Sequence, residues 1–189
     1  MSIRWWIFIL VLAMILVTRK TIGGEGSQTR DFTGYDALFR DMATDEGIDW
    51  LLLKALSYQE SRFNARAYNP EGYRPPEGKP AFSGEIPAGA DITGYQGSFG
   101  LMQIYHADRW STAKAYRPGG DYPEDLLDPG INVMIGARFL GDLTRKGFTM
   151  ETIDVYNVGE TAYAKGARNP SYRAAVKDHY QYFVNLVTT

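Results

Sequence analysis

Apolar residues follow two patterns along this chain: one unbroken run at the amino terminus, then helical spacing in the later segments. Trp5 to Val17 is a run of thirteen consecutive apolar residues. After it, Thr33 opens "TGYD", a capping-box-like start for a short helix through about Met42. Asp49 is placed to cap a second helix from Trp50 to about Arg62. In that helix Leu53, Leu56 and Glu60 fall at i, i+3 and i+7, which puts a carboxylate on the apolar face. From Tyr68 to Gly97 the period disappears: five prolines and six glycines predict a long loop or small hairpin, functional or mobile.

Helical spacing resumes after "GSFGLMQIYHADRW". Asp128 and Pro129 form an N-cap and first-position pair for a helix to about Lys146, with Arg145 and Lys146 at its negative end and Gly147 as terminator. Thr149 to Tyr156 predicts a shorter helix closed near Gly159. Pro170 and Ser171 precede a last helix, Tyr172 to about Val187, with Tyr172, Val176, Tyr180, Phe183 and Val187 on one face. No internal repeat is present. The pattern predicts a mainly α domain with one irregular insert.

The amino-terminal run has three readings: an uncleaved anchor, a secretory signal peptide or a core helix. As a helix it rises about 20 Å, short of a hydrocarbon core of about 30 Å. Flanking Arg4, Arg19 and Lys20 extend its reach by snorkelling. "TRKTIGG" places two cations where a small-residue cleavage site would follow, and the paired Trp5 and Trp6 suit a membrane interface. The anchor is the favoured reading; basic residues at both ends leave its orientation open. The glycine-rich "TIGGEGSQTRDFT" then reads as a linker. The expected organisation is a membrane-anchor or signal-like segment over 1–20, a linker over 21–33 and a folded, mainly helical domain over 34–189.

Composition narrows the function. The 189 residues suffice for one domain with a sizeable core, and 44% hydrophobic with 22% charged residues is globular usage. The absence of cysteine removes disulfides, thiolate metal sites and cysteine nucleophiles. The two histidines, His106 and His179, lack ligand spacing and read as packed or solvated, so no metal or cofactor is implied. Without the three cations of the first twenty residues, seventeen basic and twenty-two acidic residues remain, a net charge of −5. A domain so acidic is not a nucleic-acid binder, since phosphate neutralisation needs a basic face.

The chemistry centres on Glu60. At the end of a leucine-rich helix, desolvation should raise its pKa and keep it protonated near neutral pH. Such an acid in a cleft can protonate a glycosidic oxygen. Four stretches accompany it: "ESRF" at 60–63, "GLMQI" at 100–104, "VYNVG" at 155–159 and "YRAAV" at 172–176. In this order they resemble the lytic transglycosylases of the soluble (SLT) type, related in fold to goose-type lysozyme. "DPGINVMIGARFL" at 128–140 is similar to that family's core helix, and the resemblance runs from about Ala37 to Val187.

The resemblance implies a lysozyme-like helical fold and a peptidoglycan-cleaving enzyme with Glu60 as its catalytic residue. Ser61 would support the acid or line the site. Met102 would give a soft apolar wall, and Gln103 would bind substrate through its amide. Asn157 would fix an acetamido group, Tyr156 would stack on a sugar, and the Tyr172 hydroxyl would reach Glu60. Asp128 and Asn132 would be structural. The family manages with one carboxylate: Glu60 would protonate the β-1,4 bond between N-acetylmuramic acid and N-acetylglucosamine, then deprotonate the muramyl 6-hydroxyl, closing a 1,6-anhydro ring without water.

The departure from the family is the insert, 68–97, which carries Glu71, Glu77, Glu85 and Asp91. A lid over the glycan is its expected role. An insert carboxylate reaching the cleft would instead position water and make a hydrolytic muramidase, and a non-catalytic peptidoglycan-binding or assembly protein is the alternative from another class. The implied partners are peptidoglycan glycan strands and, through the amino-terminal segment, a membrane. The setting fits a bacterial envelope protein, its domain facing the wall beside an envelope-spanning apparatus. It fits equally a virion-associated phage protein with assembly partners.

Overall fold

Helix α2 (Trp50–Ser61) organises the domain because it is buried on nearly every side. Asp49 starts it, accepting a hydrogen bond from the Leu51 amide at 2.8 Å, and Arg62 in the left-handed region ends it. Leu53, Ala55 and Leu56 are fully buried. Even Lys54 is enclosed; its ammonium pairs with Asp36 at 2.5 Å and lies 4.7 Å from the Phe183 ring centre. The computed structural model describes residues 32–107, 111–147 and 152–188. The run read as an anchor and nearly all of the linker lie outside the described residues.

Helix α1 (Asp36–Glu46) packs beside α2. Its cap is Tyr35, two residues after the expected Thr33, and it extends four residues past Met42. Thr33 serves through its backbone, its carbonyl accepting from the Asp36 amide at 2.9 Å. The helix ends in a left-handed Gly47, and the Ile48 amide reaches back to the Ala43 carbonyl.

The insert is neither structureless nor one hairpin. Strands β1 (Ala67–Asn69), β2 (Gly84–Glu85), β3 (Gly97–Phe99) and β4 (Ile104–His106) form an antiparallel sheet in the order β2-β1-β3-β4. Its register pairs Asn69 with Ser98 and Ser98 with Tyr105. Ile86, Ile92 and Tyr95 from the insert enter the core, so it is anchored at both ends and in the middle. Helix α3 (Thr112–Tyr116) and a short 3₁₀ turn (Glu124–Leu127) lead to α4 (Pro129–Arg145).

Asp128 caps α4 by accepting from the Ile131 amide at 2.8 Å, and Pro129 occupies its first position. Asn132, fully buried, donates to the carbonyls of Phe99 (2.8 Å) and Leu126 (2.9 Å) and accepts from the Met102 amide (2.7 Å). One side chain thereby ties the sheet, the 3₁₀ turn and α4 together. Helix α5 (Thr152–Val158) is followed by a further short helix, α6 (Glu160–Ala164), which the spacing did not predict. Helix α7 (Pro170–Thr188) lies against α2. Tyr172, Val176 and Phe183 are buried on it, but Val187, expected on the same face, is exposed because the helix outruns the domain there. Among the described residues no helix is long and apolar enough to cross a membrane.

Candidate active site

The last turn of α2 carries Glu60 to the wall of a cleft of about 400 Å³. Asn69, Glu71, Ser98, Gln103, Ile104 and Tyr105 line its sheet side, and Thr112, Phe139, Tyr156, Asn157, Val158 and Gly159 its helical side. The glutamate is half-buried as a residue, while its carboxyl is almost enclosed. Burial pushes its pKa from 4.5 up to about 7; the Tyr172 hydrogen bond pulls against this, and the charge of Glu71 adds to it. The Tyr172 hydroxyl donates to Glu60 Oε1. With Oε1 so engaged, the proton of the neutral acid belongs on Oε2.

Tyr172 is placed by a chain of contacts behind it. Asn169 caps α7 by accepting from the Tyr172 amide at 3.1 Å. The Asn169 amide in turn donates to Asp154 at 3.2 Å, and the buried Asp154 pairs with Arg173 at 2.7 Å. The other arm of Asn169, Nδ2, donates to Asn157 Oδ1 at 2.8 Å. Asn157 on the cleft and Tyr172 on the acid therefore share one tether.

Tyr156 lines the cleft, stacks its ring on Phe139 at 5.2 Å and donates its hydroxyl to the Met102 carbonyl at 3.0 Å. Burial, with Glu60 nearby, drives its pKa well up, and Tyr172 behaves in the same way. The turn "GLMQI" leads into a strand, not a helix. Gly100, at φ 75°, sits where a Cβ would collide with the Asn132 amide and the Leu126 carbonyl. Gln103, at φ 47°, donates through Nε2 to the Gly100 carbonyl at 3.0 Å and faces the cleft.

Of the residues singled out in the sequence, Glu60, Gln103, Tyr156 and Asn157 line one cleft and Tyr172 bonds the acid. Two lie elsewhere. The Met102 side chain is fully buried against Gly136, where an added Cβ would fall 2.8 Å from it, so it packs α4 and forms no cleft wall. The Ser61 hydroxyl donates to the Ser57 carbonyl at 3.1 Å, along its own helix. Asn69, Ser98, Tyr105, Thr112 and Phe139 carried no signal in the sequence, and Glu71 only that of an acidic insert residue. Among the described residues no group of three His, Asp or Glu side chains is arranged to hold a metal ion.

Residues 37–178 match the family model described as the transglycosylase SLT domain. The chain belongs to that family. Within it, a 40-residue stretch is 48% identical to the membrane-bound lytic murein transglycosylase F of Marinobacter nauticus, covering 21% of this chain and 8% of that one. The SLT fold is shared with the 70 kDa soluble lytic transglycosylase of Escherichia coli at a TM-score of 0.54 and 21% identity, over 80% of this chain and 25% of that one. It is shared too with the lytic transglycosylase Slt of Pseudomonas aeruginosa, solved as an inactive mutant, at a TM-score of 0.50 and 18% identity, over 79% of this chain and 22% of that one. This SLT domain thus spans a quarter or less of each relative's length.

Proposed function

We propose that this domain is a peptidoglycan lytic transglycosylase with Glu60 as its single acid and base. The observation that carries the reading is an enclosed carboxyl, its pKa raised by burial and its oxygen bonded by Tyr172, on the wall of an open cleft. Family membership supports the reaction class. Protonated Glu60 gives its proton to the glycosidic oxygen between N-acetylmuramic acid and N-acetylglucosamine. The bond's electron pair leaves with that oxygen, and positive charge develops on the muramyl ring. Glu60, now a carboxylate, takes the proton of the muramyl 6-hydroxyl as its oxygen bonds the anomeric carbon. The acid is regenerated, a 1,6-anhydro end forms, and no water is consumed.

The amides fit the acetamido groups of such a glycan. Gln103 Nε2 is committed to Gly100, leaving Oε1 to accept an N–H; Asn157 Oδ1 is committed to Asn169, leaving Nδ2 to donate. Tyr156, already stacked on Phe139, offers a rigid aromatic wall. The membrane-bound relative supports an enzyme that faces the wall from an envelope membrane, with the amino-terminal segment as its anchor.

The test is digestion of purified peptidoglycan by the wild type and by Glu60→Gln. The wild type should release soluble fragments, and the variant should release them about a hundredfold to ten-thousandfold more slowly while still binding the sacculus. The inactive Pseudomonas protein carries the same type of exchange, glutamate to glutamine. A folded wild type that binds glycan and releases nothing contradicts the reading and marks a binding protein.

A further inference from the structure

We infer that Glu71 is a second working carboxylate of this cleft, a fixed negative charge that stabilises the positive charge developing on the muramyl ring as the bond breaks. This rests on the reading of Glu60 as the acid. Glu71 belongs to the insert, two residues after β1, and lines the same cleft as Glu60. Two other insert carboxylates are occupied elsewhere: Asp91 pairs with Lys79 at 2.9 Å, and Glu85 accepts from Asn64 at 3.2 Å.

An exposed glutamate in a turn normally reaches into water. Glu71 is itself exposed, but its carboxyl is held at the cleft by two side-chain hydrogen bonds. Its φ of 51°, followed by Gly72 at 79°, makes a tight turn in which the Tyr73 amide bonds the Pro70 carbonyl at 2.7 Å. For a residue with a Cβ this left-handed conformation is strained, and strain of this kind gathers at functional sites. Asn69 holds the residue at both ends: its Oδ1 accepts from the Glu71 amide at 3.2 Å, and its Nδ2 donates to Glu71 Oε1 at 2.9 Å. Ser98, on the paired strand β3, donates to the same oxygen at 3.1 Å. Among the described residues Oε2 takes no such bond, so the clamp fixes the side chain and leaves one oxygen for the cleft.

The consequence is a division of labour between two carboxyls. The charged or titratable groups facing Glu60 are Glu71 from this turn, Tyr172 from α7 and Tyr156 from α5. Helices α3 and α4 present only the neutral Thr112 and Phe139 to the cleft. Among the described residues Glu71 is thus the one anion lining the cleft beside the acid. It disfavours a second negative charge on Glu60 and favours positive charge on a sugar ring held in the cleft that both line. It forms no bond and takes no proton: the proton still passes from Glu60 to the leaving oxygen, and the 6-hydroxyl still closes the ring.

The experiment measures rate against pH and fragment mass for the full chain and for Glu71→Gln, Glu71→Asp and Asn69→Ala, with Glu60→Gln as control. Expected for Glu71→Gln are a rate loss of about tenfold to a hundredfold, an alkaline limb moved to lower pH, and unchanged anhydro ends. Glu71→Asp, which keeps the charge on a shorter arm, should restore the limb more than the rate. Asn69→Ala, which frees the charge without removing it, should lose rate with little change in the limb, and it carries the test if Glu71→Gln does not fold. A Glu71→Gln enzyme with wild-type rate and limb overturns the inference. So do reducing ends made by the wild type and lost in Glu71→Gln, which would make Glu71 a water-activating base. Activity surviving in Glu60→Gln would instead refute the reading of the acid.

Discussion

At Glu60 two influences oppose each other: burial raises the pKa of the carboxyl to about 7, and the hydroxyl of Tyr172 draws it down. Tyr172→Phe removes the second, so the pKa should rise further and the alkaline limb of activity should move to higher pH, opposite to the shift expected from Glu71→Gln. The rate at the optimum should fall about tenfold or more, because Oε1 loses the bond that fixes which oxygen bears the proton. A rate–pH profile of the variant checks both; a limb that stays put would remove Tyr172 from the acid's control. Glu60 was legible in the sequence because a carboxylate on an apolar stripe is a physical conflict. Met102 was not, because residue type does not say which way a turn throws its side chains. Gln103, in the left-handed region, sends its own side chain to the cleft while Met102 goes into the core.

Among the elements, α4 serves as the frame on which the turn "GLMQI" is hung. Asn132→Ala would leave the Met102 amide and the Phe99 and Leu126 carbonyls without their partner. At about 1–3 kcal/mol for each unsatisfied buried group, a loss of roughly 3–5 kcal/mol is expected, read by urea unfolding. A loss below about 1 kcal/mol would show that the turn has other support. Arg173→Met tests the second frame. It strands the buried Asp154 carboxylate beneath the start of α7 and should cost about 3–5 kcal/mol. The sequence revealed α2, α4 and α7 because their caps and apolar spacing are local signals. The sheet escaped it because strands of two or three residues show no alternation. Their pairing across the insert is a long-range property. The same gap hid Asn69 and Ser98, which become neighbours of Glu71 only through the β1–β3 register.

For the whole molecule, the buried Glu60 carboxyl weakens the fold as pH rises. A carboxyl whose pKa rises from 4.5 in the unfolded chain to about 7 in the native one binds more protons when folded. Stability is therefore full below about pH 4.5, declines as pH climbs through 7, and above that is lower by up to about 3 kcal/mol. Glu60→Gln abolishes this dependence. Its melting temperature should exceed the wild type's at pH 8 and converge with it near pH 4, as thermal unfolding across that range would show. Equal melting curves at pH 8 would mean that Glu60 ionises freely. The domain's mainly helical character and its one irregular insert were legible in spacing and composition. The insert's contribution to the cleft depended on the folded sheet.

In the proposed reaction one carboxyl cleaves the glycan while the muramyl 6-hydroxyl, not water, closes the product. The most direct test is to digest peptidoglycan in water enriched in heavy oxygen and weigh the fragments. By this reaction, ends one water lighter than reducing ends, with no heavy oxygen, should be made by the wild type and not by Glu60→Gln. Reducing ends carrying the heavy label would contradict it.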